Sequence, residues 1–454
     1  MRSVRVLVCS ILLLCSFGVG TAAADPPPGI PLPPPGSPGF LPELQQWIDQ
    51  VLPSPIQPSG DTVDPEAELA ALRAAVLPAD VGDPMFDHWP ADLAGRSQGE
   101  ILAARDVLAT AAPLTLVPLR SATLLKFRTD DSQGRPSFAT ATLLVPAADW
   151  TGPGDRPVLV NNLPIDALGR ECTPGYTLAH GLGLKSSSTE FIPPTTQLAA
   201  LRGYAVLVPD HEGPLMAYAE PYVAGHAVLD AIRATRAHDP AAFGASRFAM
   251  TGYSGGAIAT HGAAKLLGSY APELAEVVVG AALGGVPADF EILSRSMNAN
   301  LASGIFMAAT FAIGRERPEI LAAMNNLARW VATSVMKDQC VSVFAIPGVL
   351  HLPIDIGANI PDPLRSDLAA RIYEITRMAG LRSATPLYIY NGEQEFWIPA
   401  AGARKLYDEQ CSLGANAVYR SVFGEHIVGA VTGYPEAMLW LDDRLQGIAA
   451  HSEC

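Results

Sequence analysis

The stretch RFAMTGYSGGAIATHGAAKLLGS, residues 247–269, carries a serine between glycines in the pattern G-x-S-x-G. An apolar, β-forming run precedes the pattern, and small helix-forming residues follow it. This order predicts a strand, a tight turn at Ser254 and a helix, with Gly252 and Gly256 leaving room for strand and helix to approach each other. The helix N-terminus would aim the backbone N–H of Gly255 at a developing negative charge. The segment therefore predicts a nucleophilic serine at a sheet edge.

Apolar runs suited to buried strands alternate with helical patterns along much of the chain. The sequence predicts strands at residues 122–129, 137–146, 157–162, 204–210, 247–252, 277–283, 386–392 and 417–424. The first two are separated by DDSQGRP and indicate a hairpin. Continuous apolar strands that alternate with helices predict an α/β fold, with a mostly parallel central sheet covered on both faces.

Residues 288–384 break this alternation, because they carry long helical patterns and few strand candidates. Nearly 100 residues between two strands exceed an ordinary crossover, so we expect a helical cap inserted over the carboxyl edge of the sheet, where ligands bind in such folds. An extra helical layer unrelated to any site is the alternative. The expected core comprises residues 61–287 and 385–454.

The first 24 residues have two arginines, an apolar run and an A-x-A pattern ending at Ala24, which is typical of a cleaved secretory signal peptide. The apolar run is too short to favour a membrane helix. Residues 25–60 are rich in proline and predict an extended tether or surface strap. In an oxidising compartment, the four remaining cysteines would form two disulfides, and three pairings are open. We therefore expect a secreted protein.

The net charge of −15 becomes −17 without the signal peptide, because residues 1–24 contain two arginines and no acidic residue. An acidic surface repels nucleic acid and anionic lipid. A neutral or apolar partner is expected instead, such as an ester substrate or, transiently, a lipid–water interface. The histidines show no spacing typical of a metal site, and neither a metal nor a cofactor is expected.

A serine needs a base, which in this fold lies downstream of an acid. Three histidines lie late enough, and His426 is favoured over His351 and His451 because it follows the last predicted strand. The acid should follow the strand at residues 386–392, where both Glu393 and Glu395 are available. A glutamate can orient an imidazole as an aspartate does.

Several ordered segments between residues 83 and 447 resemble the secretory lipase family of α/β-hydrolases. They are DPMFDHWP, FRTDDSQGRPSFATATLLVP, DHEGPLMAYAEPYVAGHAVLDAIRA, GYSGGA, ALGGVPADF and HIVGAVTGYPEAMLWLDDRLQG. The family places its acid, normally an aspartate, in a G-x-x-D-x-x-[VI]-P loop. Residues 392–399, GEQEFWIP, put Glu395 at that point, which favours it over Glu393.

The resemblance also implies roles for residues outside the triad. It places an oxyanion contributor in the loop after the strand at residues 157–162, where Asp166 is the candidate beside Gly255. It implies a disulfide between Cys172 and Cys411, which leaves Cys340 to pair with Cys454.

Ester hydrolysis by Ser254, His426 and Glu395 is the expected function, with lipid esters as substrates. Apolar residues around 305–313, in 344–354 and at Phe396 and Trp397 offer surface for an acyl chain, although packing of the cap would need the same residues. An acyltransferase with the same triad is one alternative. A non-catalytic lipid-binding protein that has kept the fold is another, and the glutamate in place of aspartate is its only support.

Overall fold

The computed structural model describes residues 40–56, 64–183, 186 and 194–454. The predicted signal peptide and much of the proline-rich segment lie outside the described residues. The helices are α1 (Phe40–Val51), α2 (Pro65–Val76), α3 (Pro84–Asp87), α4 (Leu108–Thr115), α5 (Pro174–His180), α6 (Thr195–Leu201), α7 (Pro221–His238), α8 (Pro240–Phe243), α9 (Gly255–Tyr270), α10 (Phe290–Met297), α11 (Ser303–Glu316), α12 (Glu319–Ala322), α13 (Asn326–Thr333), α14 (Val341–Val349), α15 (Asp367–Arg377), α16 (Ala400–Ser412) and α17 (His426–Leu445).

Nine strands form one sheet: β1 (Ile101–Asp106), β2 (Leu119–Asp130), β3 (Pro136–Pro146), β4 (Val158–Asn162), β5 (Ala205–Pro209), β6 (Phe248–Tyr253), β7 (Val278–Gly284), β8 (Leu387–Gly392) and β9 (Ala417–Val422). Their order is β1-β2-β3-β5-β4-β6-β7-β8-β9. The six strands β4 to β9 pair with one another in parallel. The strands β1, β2 and β3 lie at one edge and pair antiparallel, and β3 also pairs antiparallel with β5. This confirms the predicted α/β class with a mostly parallel sheet. All eight predicted strands are present, and β1 is an additional strand.

Helices cover both faces of the sheet, because successive side chains of a strand point to opposite sides. In β4, Val158 and Val160 pack into a cluster with α7 and α9, whereas Leu159 packs into a cluster on the other face with α17. Both faces are therefore apolar, which explains why the strands are continuous apolar runs.

Residues 285–386, all of them described, connect β7 to β8 through α10 to α15 and contain no strand. We call them the inserted segment. They form an apolar cluster of their own that includes Phe306, Phe311 and Phe344 and also takes in Ile258 of α9. The inserted segment therefore shares a hydrophobic interface with the helix that follows Ser254.

Arg315 links the inserted segment to the end of α2 and to two loops of the core, and it also bonds Lys337 within the inserted segment. Its side chain is 1% exposed and donates to the carbonyl oxygens of Val76, Leu168, Leu215, Met216 and Lys337 at 2.8–3.1 Å. Burial lowers the pKa of this guanidinium to about 9. A buried cation is tolerated here because every carbonyl dipole is aimed at it.

Part of the segment predicted as an extended tether is helical. Helix α1 lies against the inserted segment: the Gln45 side chain donates to the carbonyl of Asp355 at 2.6 Å, and Asp49 accepts from the backbone N–H of Asn326 at 2.7 Å. Beyond the helix, the indole of Trp330 donates to the carbonyl of Pro53 at 2.8 Å. Residues 40–51 are therefore helical rather than extended, since no proline lies between positions 43 and 52.

The disulfide pairing implied by the family resemblance is wrong. Cys172 bonds Cys340, and Cys411 bonds Cys454. Cys172 lies in the loop after β4, beside the inserted segment that carries Cys340. Cys411 lies in the last turn of α16, which leads from the carboxyl end of β8 back to the start of β9, so it lies at the amino ends of the strands, opposite Cys172. The first bond links the core to the inserted segment, and the second secures the C-terminus.

No helix in the described part of the chain combines the length and the apolar character needed to cross a membrane.

Candidate active site

Ser254 occupies the turn between β6 and α9 with a strained backbone, at φ 54° and ψ −123°. Such angles cost about 1–3 kcal/mol in a residue other than glycine and persist only when the surroundings enforce them. The carbonyl of Gly284 accepts the backbone N–H of Ser254 at 2.9 Å. A Cβ on Gly252 would collide with the carbonyl oxygen of Gly256, and a Cβ on Gly256 would collide with that of Asn162. The two glycines therefore permit the close approach that the turn needs.

His426 lies within hydrogen-bond distance of the serine, with its Nε2 3.0 Å from Ser254 Oγ. It is the first residue of α17, at the carboxyl end of β9. Glu425 caps this helix by accepting from the backbone N–H groups of Ile427 and Val428, each at 3.1 Å. The cap fixes the start of the helix and with it the backbone of His426.

Glu395 holds the other side of the imidazole. Its Oε2 lies 2.7 Å from His426 Nδ1, and its side chain is fully buried. Its Oε1 accepts from the backbone N–H groups of Trp397 and Ile398 at 2.9 and 3.1 Å. Both carboxylate oxygens therefore have donors, which offsets the cost of burying the group.

The structure brings Ser254, His426 and Glu395 together and leaves the other candidates apart. Glu393 is exposed and accepts from the hydroxyl of Ser421 at 3.0 Å. His351 lies in the inserted segment and His451 near the C-terminus, both exposed. The sequence alone left the choice of glutamate open until the spacing of the family motif favoured Glu395.

Asp166 lies in the loop after β4 with a φ of 50°, and its carboxyl group abuts the residue after the serine. A Cβ built on Gly255 would collide with Asp166 Oδ1, and this oxygen has no hydrogen-bond partner among the described residues. Burial raises the pKa of the Asp166 carboxyl to about 7, and the charge of a protonated His426 counteracts that rise. Below about pH 7 the group is therefore a neutral acid, able to donate a hydrogen bond.

Glu212 is a second buried carboxyl group behind the same loop, and sequence reasoning missed it. It accepts from the backbone N–H of Ala167 at 3.4 Å. Burial raises the pKa of Glu212 well above its ordinary value, the charge of Asp166 adds to the rise, and Arg315 opposes it. The sequence feature that could have indicated Glu212 is its position in PDHEG, three residues after the strand at 205–209, where the chain leaves the sheet.

A cavity of about 490 Å³ opens beside Ser254 and His426. Apolar side chains of the inserted segment supply most of its wall, among them Met297, Phe306, Ile313, Leu368 and Ile372. Ile305, Leu352 and Trp397, which lie in segments predicted to offer acyl surface, also line it. Phe396 does not line the cavity and is 50% exposed.

Within the ranges that the structure describes, no group of three or more His, Cys, Asp or Glu side chains is arranged to hold a metal ion. The chemistry available at the site is that of a hydroxyl, an imidazole, carboxyl groups and backbone N–H groups. Such an arrangement can carry out nucleophilic acyl transfer.

Comparison with known proteins agrees with this geometry. The family model for secretory lipases matches residues 188–453, more than half of the chain. The probable inactive lipase MT1628 of Mycobacterium tuberculosis is 29% identical over 84% of this chain and 86% of that protein. The secreted triacylglycerol lipase LIP5 of Malassezia globosa is 29% identical over 80% of this chain and 79% of that protein. Candida antarctica lipase A in its closed state shares the fold, with a TM-score of 0.72 at 24% identity over 84% of this chain and 89% of that one.

The raised pKa of Asp166 gives a testable pH dependence of stability. The carboxyl binds its proton more tightly in the folded protein, at a pKa of about 7 against the usual 3.8. The stability that this proton contributes is therefore fully present below about pH 4 and is lost as the pH rises through about 7. The loss in the free energy of unfolding amounts to about 4 kcal/mol. Asp166→Asn has no carboxyl group to titrate, so its free energy of unfolding should rise relative to that of the wild type between pH 4 and pH 8. Urea unfolding at several pH values measures the difference.

Asp155→Asn, at an exposed loop position, controls for the removal of one carboxyl group. A stability difference between Asp166→Asn and wild type that stays constant from pH 4 to pH 8 would contradict the assignment.

Proposed function

The chain belongs to the secretory lipase family, and on that premise we propose that it hydrolyses lipid esters, with Ser254 as nucleophile, His426 as base and Glu395 as the acid of a triad. The observation that carries the proposal is the continuous hydrogen-bonded chain from Glu395 through His426 to Ser254 Oγ, at 2.7 and 3.0 Å. A serine hydroxyl becomes a nucleophile at neutral pH only when such a base can take its proton.

In the proposed reaction, Ser254 Oγ attacks the ester carbonyl carbon while His426 Nε2 takes the hydroxyl proton. Glu395 holds the proton on Nδ1 and stabilises the imidazolium. The intermediate collapses as His426 returns its proton to the leaving alcohol, which leaves an acyl group on Ser254. Water, activated by the same histidine, then releases the carboxylic acid and restores the serine.

The negative charge on the tetrahedral intermediate would develop beside Gly255 and Asp166. The backbone N–H of Gly255 begins α9, where the helix dipole favours a negative charge. The loop that carries Asp166 is the proposed second contributor, since the Asp166 carboxyl abuts Gly255 and burial raises its pKa to about 7. One oxyanion donor of this kind contributes about 3–4 kcal/mol to transition-state stabilisation.

The apolar cavity supports esters with an apolar acyl chain as substrates. Each buried methylene contributes about 0.8 kcal/mol to binding, so the affinity for an acyl chain should increase with the length of chain that the cavity buries. In this proposal the inserted segment is a cap that shapes the acyl site. Triacylglycerols are one such class, as the name of the Malassezia globosa relative suggests.

Secretion is part of the proposal. The family is named for secretory lipases, and two disulfides bond all four cysteines that follow the predicted signal peptide. Disulfides of this kind persist in oxidising compartments.

A lipid-binding protein without catalysis is the second candidate, because one relative is named a probable inactive lipase. Two features of this chain favour activity: the strained serine turn and the fully hydrogen-bonded Glu395. A fluorophosphonate probe separates the candidates, since it reacts with an activated serine and leaves an unactivated one unmodified. Failure to label the folded protein would favour the binding protein.

Ser254→Ala removes the nucleophile and should lower kcat for p-nitrophenyl esters by roughly a millionfold. Circular dichroism and thermal unfolding should show that the variant stays folded. Rates measured with a p-nitrophenyl ester series test the expectation. Activity retained at the wild-type level would exclude the proposed nucleophile.

Glu395→Gln should lower kcat/KM by about 10³ to 10⁴, because an amide cannot stabilise the imidazolium and favours the wrong tautomer. Glu393→Gln is the matched control, with the same change two residues away on an exposed side chain, and should leave the rate nearly unchanged. Steady-state kinetics of both variants provide the measurement, and a larger loss in Glu393→Gln would reassign the acid.

An exposed apolar surface lies next to the cavity and fits a lipid–water interface as partner. We define the rim patch as Phe396, Phe423, Ile427, Val428 and Val431, of which Phe423 is 71% exposed. Gln394 accepts from the N–H of Gly424 at 2.7 Å, so the loops that carry Phe396 and Phe423 are adjacent. Ile427 belongs both to this patch and to the cavity wall. The net charge of −15 favours an uncharged or zwitterionic lipid surface.

Phe423→Glu should reduce hydrolysis of an emulsified triacylglycerol about tenfold, because the transfer of one large apolar side chain from water is lost. Hydrolysis of a water-soluble p-nitrophenyl ester should not change. Ile448→Glu is the control, since Ile448 is 53% exposed but lies beyond the far end of the 20-residue helix α17, about 30 Å away. An equal effect of both variants on the emulsion would contradict the role of the patch.

A further inference from the structure

Tyr253, the residue before the nucleophile, is tied to the residue that would act as its base. Its hydroxyl donates to the backbone carbonyl oxygen of His426 at 2.6 Å, and the two rings lie 5.2 Å apart. The two residues are 173 positions apart in sequence. The peptide that leads into Ser254 is thereby linked directly to the backbone of His426.

The ring of Tyr253 has little freedom to move from this position. A Cβ on Gly284 would lie 2.5 Å from its Cδ2, and a Cβ on Gly285 would lie 2.8 Å from its Cζ. A Cβ on Gly429, in the first turns of α17, would lie 3.3 Å from the hydroxyl oxygen. Three glycines in two backbone segments, at residues 284–285 and 429, thus line the slot that holds the ring, and the slot directs the hydroxyl at the carbonyl of His426.

We propose that Tyr253 is a positioning residue that sets the distance between Ser254 Oγ and His426 Nε2. Glu395 fixes the imidazole at Nδ1 and therefore its rotation, whereas Tyr253 fixes the backbone from which the imidazole extends. Two constraints of different kinds define the position of Nε2. Proton transfer is sensitive to small displacements, so loosening the backbone reduces the rate. Tyr253 also lines the acyl cavity, and a phenylalanine at this position keeps the ring that forms part of the wall. The inference rests on the proposed function.

Tyr253→Phe keeps the ring and removes the hydrogen bond. Tyr434→Phe is the matched control. It removes the buried hydroxyl of a tyrosine in α17, and this hydroxyl has no hydrogen-bond partner among the described residues. With active sites counted by fluorophosphonate titration, kcat of Tyr253→Phe should fall about three- to tenfold, the usual equivalent of one buried hydrogen bond, with KM unchanged. Tyr434→Phe should match the wild type.

A purely structural role would give a different result: Tyr253→Phe would unfold at a lower temperature, while kcat for each titrated site would stay at the wild-type value. That outcome would overturn the inference and leave the proposed function intact.

A second measurement does not depend on catalysis. The proton between His426 Nδ1 and Glu395 should give a low-field NMR resonance, identified by its loss in Glu395→Gln. Its exchange with solvent should be faster in Tyr253→Phe than in Tyr434→Phe. Equal exchange in the two variants would overturn the inference, even if the protein hydrolysed no ester and the proposed function had failed.

Discussion

The backbone of Ser254 is the constraint on which the rest of the site depends. A serine at φ 54° is strained. It is held there by the hydrogen bond from its backbone N–H to the carbonyl oxygen of Gly284 and by the close contact between β6, α9 and the end of β4. The same contact leaves no space for side chains at Gly252 and Gly256. The strained turn directs the Ser254 hydroxyl towards His426, and it places the N-terminus of α9 directly beside that hydroxyl. A relaxed turn would lose both arrangements together.

Three separate segments meet at this turn because the parallel strands end at one edge of the sheet. The loop after β8 brings Glu395, the loop after β9 brings His426, and the loop after β4 brings Asp166. Glutamate in place of aspartate is accommodated here because its second oxygen is taken up by two backbone N–H groups of its own loop. The departure from the family pattern therefore leaves the carboxylate bonded to His426 and buried.

Much of the fold could be predicted from the sequence, since buried parallel strands are recognisable as continuous apolar runs. Strand β1 was missed because ILAARD contains weak β-formers and lies half-exposed at the antiparallel edge.

The disulfide pairing depends on distances across the molecule, such as the placement of Cys411 at the amino ends of the strands, opposite Cys172. Glu212 was missed because its proximity to Asp166 arises only when two loops pack together. The choice of Glu395 over Glu393 needed the family motif, and the separate environments of the two side chains follow from the loop geometry.

During ester turnover by the proposed mechanism, a covalent acyl group forms on Ser254. Mass spectrometry of protein quenched during hydrolysis of a slowly released ester measures this directly. We expect to find the mass of the acyl group on a peptide containing Ser254 and not to find it in His426→Ala. An acyl group on another residue, or sustained hydrolysis with no acylated protein under conditions where deacylation limits the rate, would contradict it.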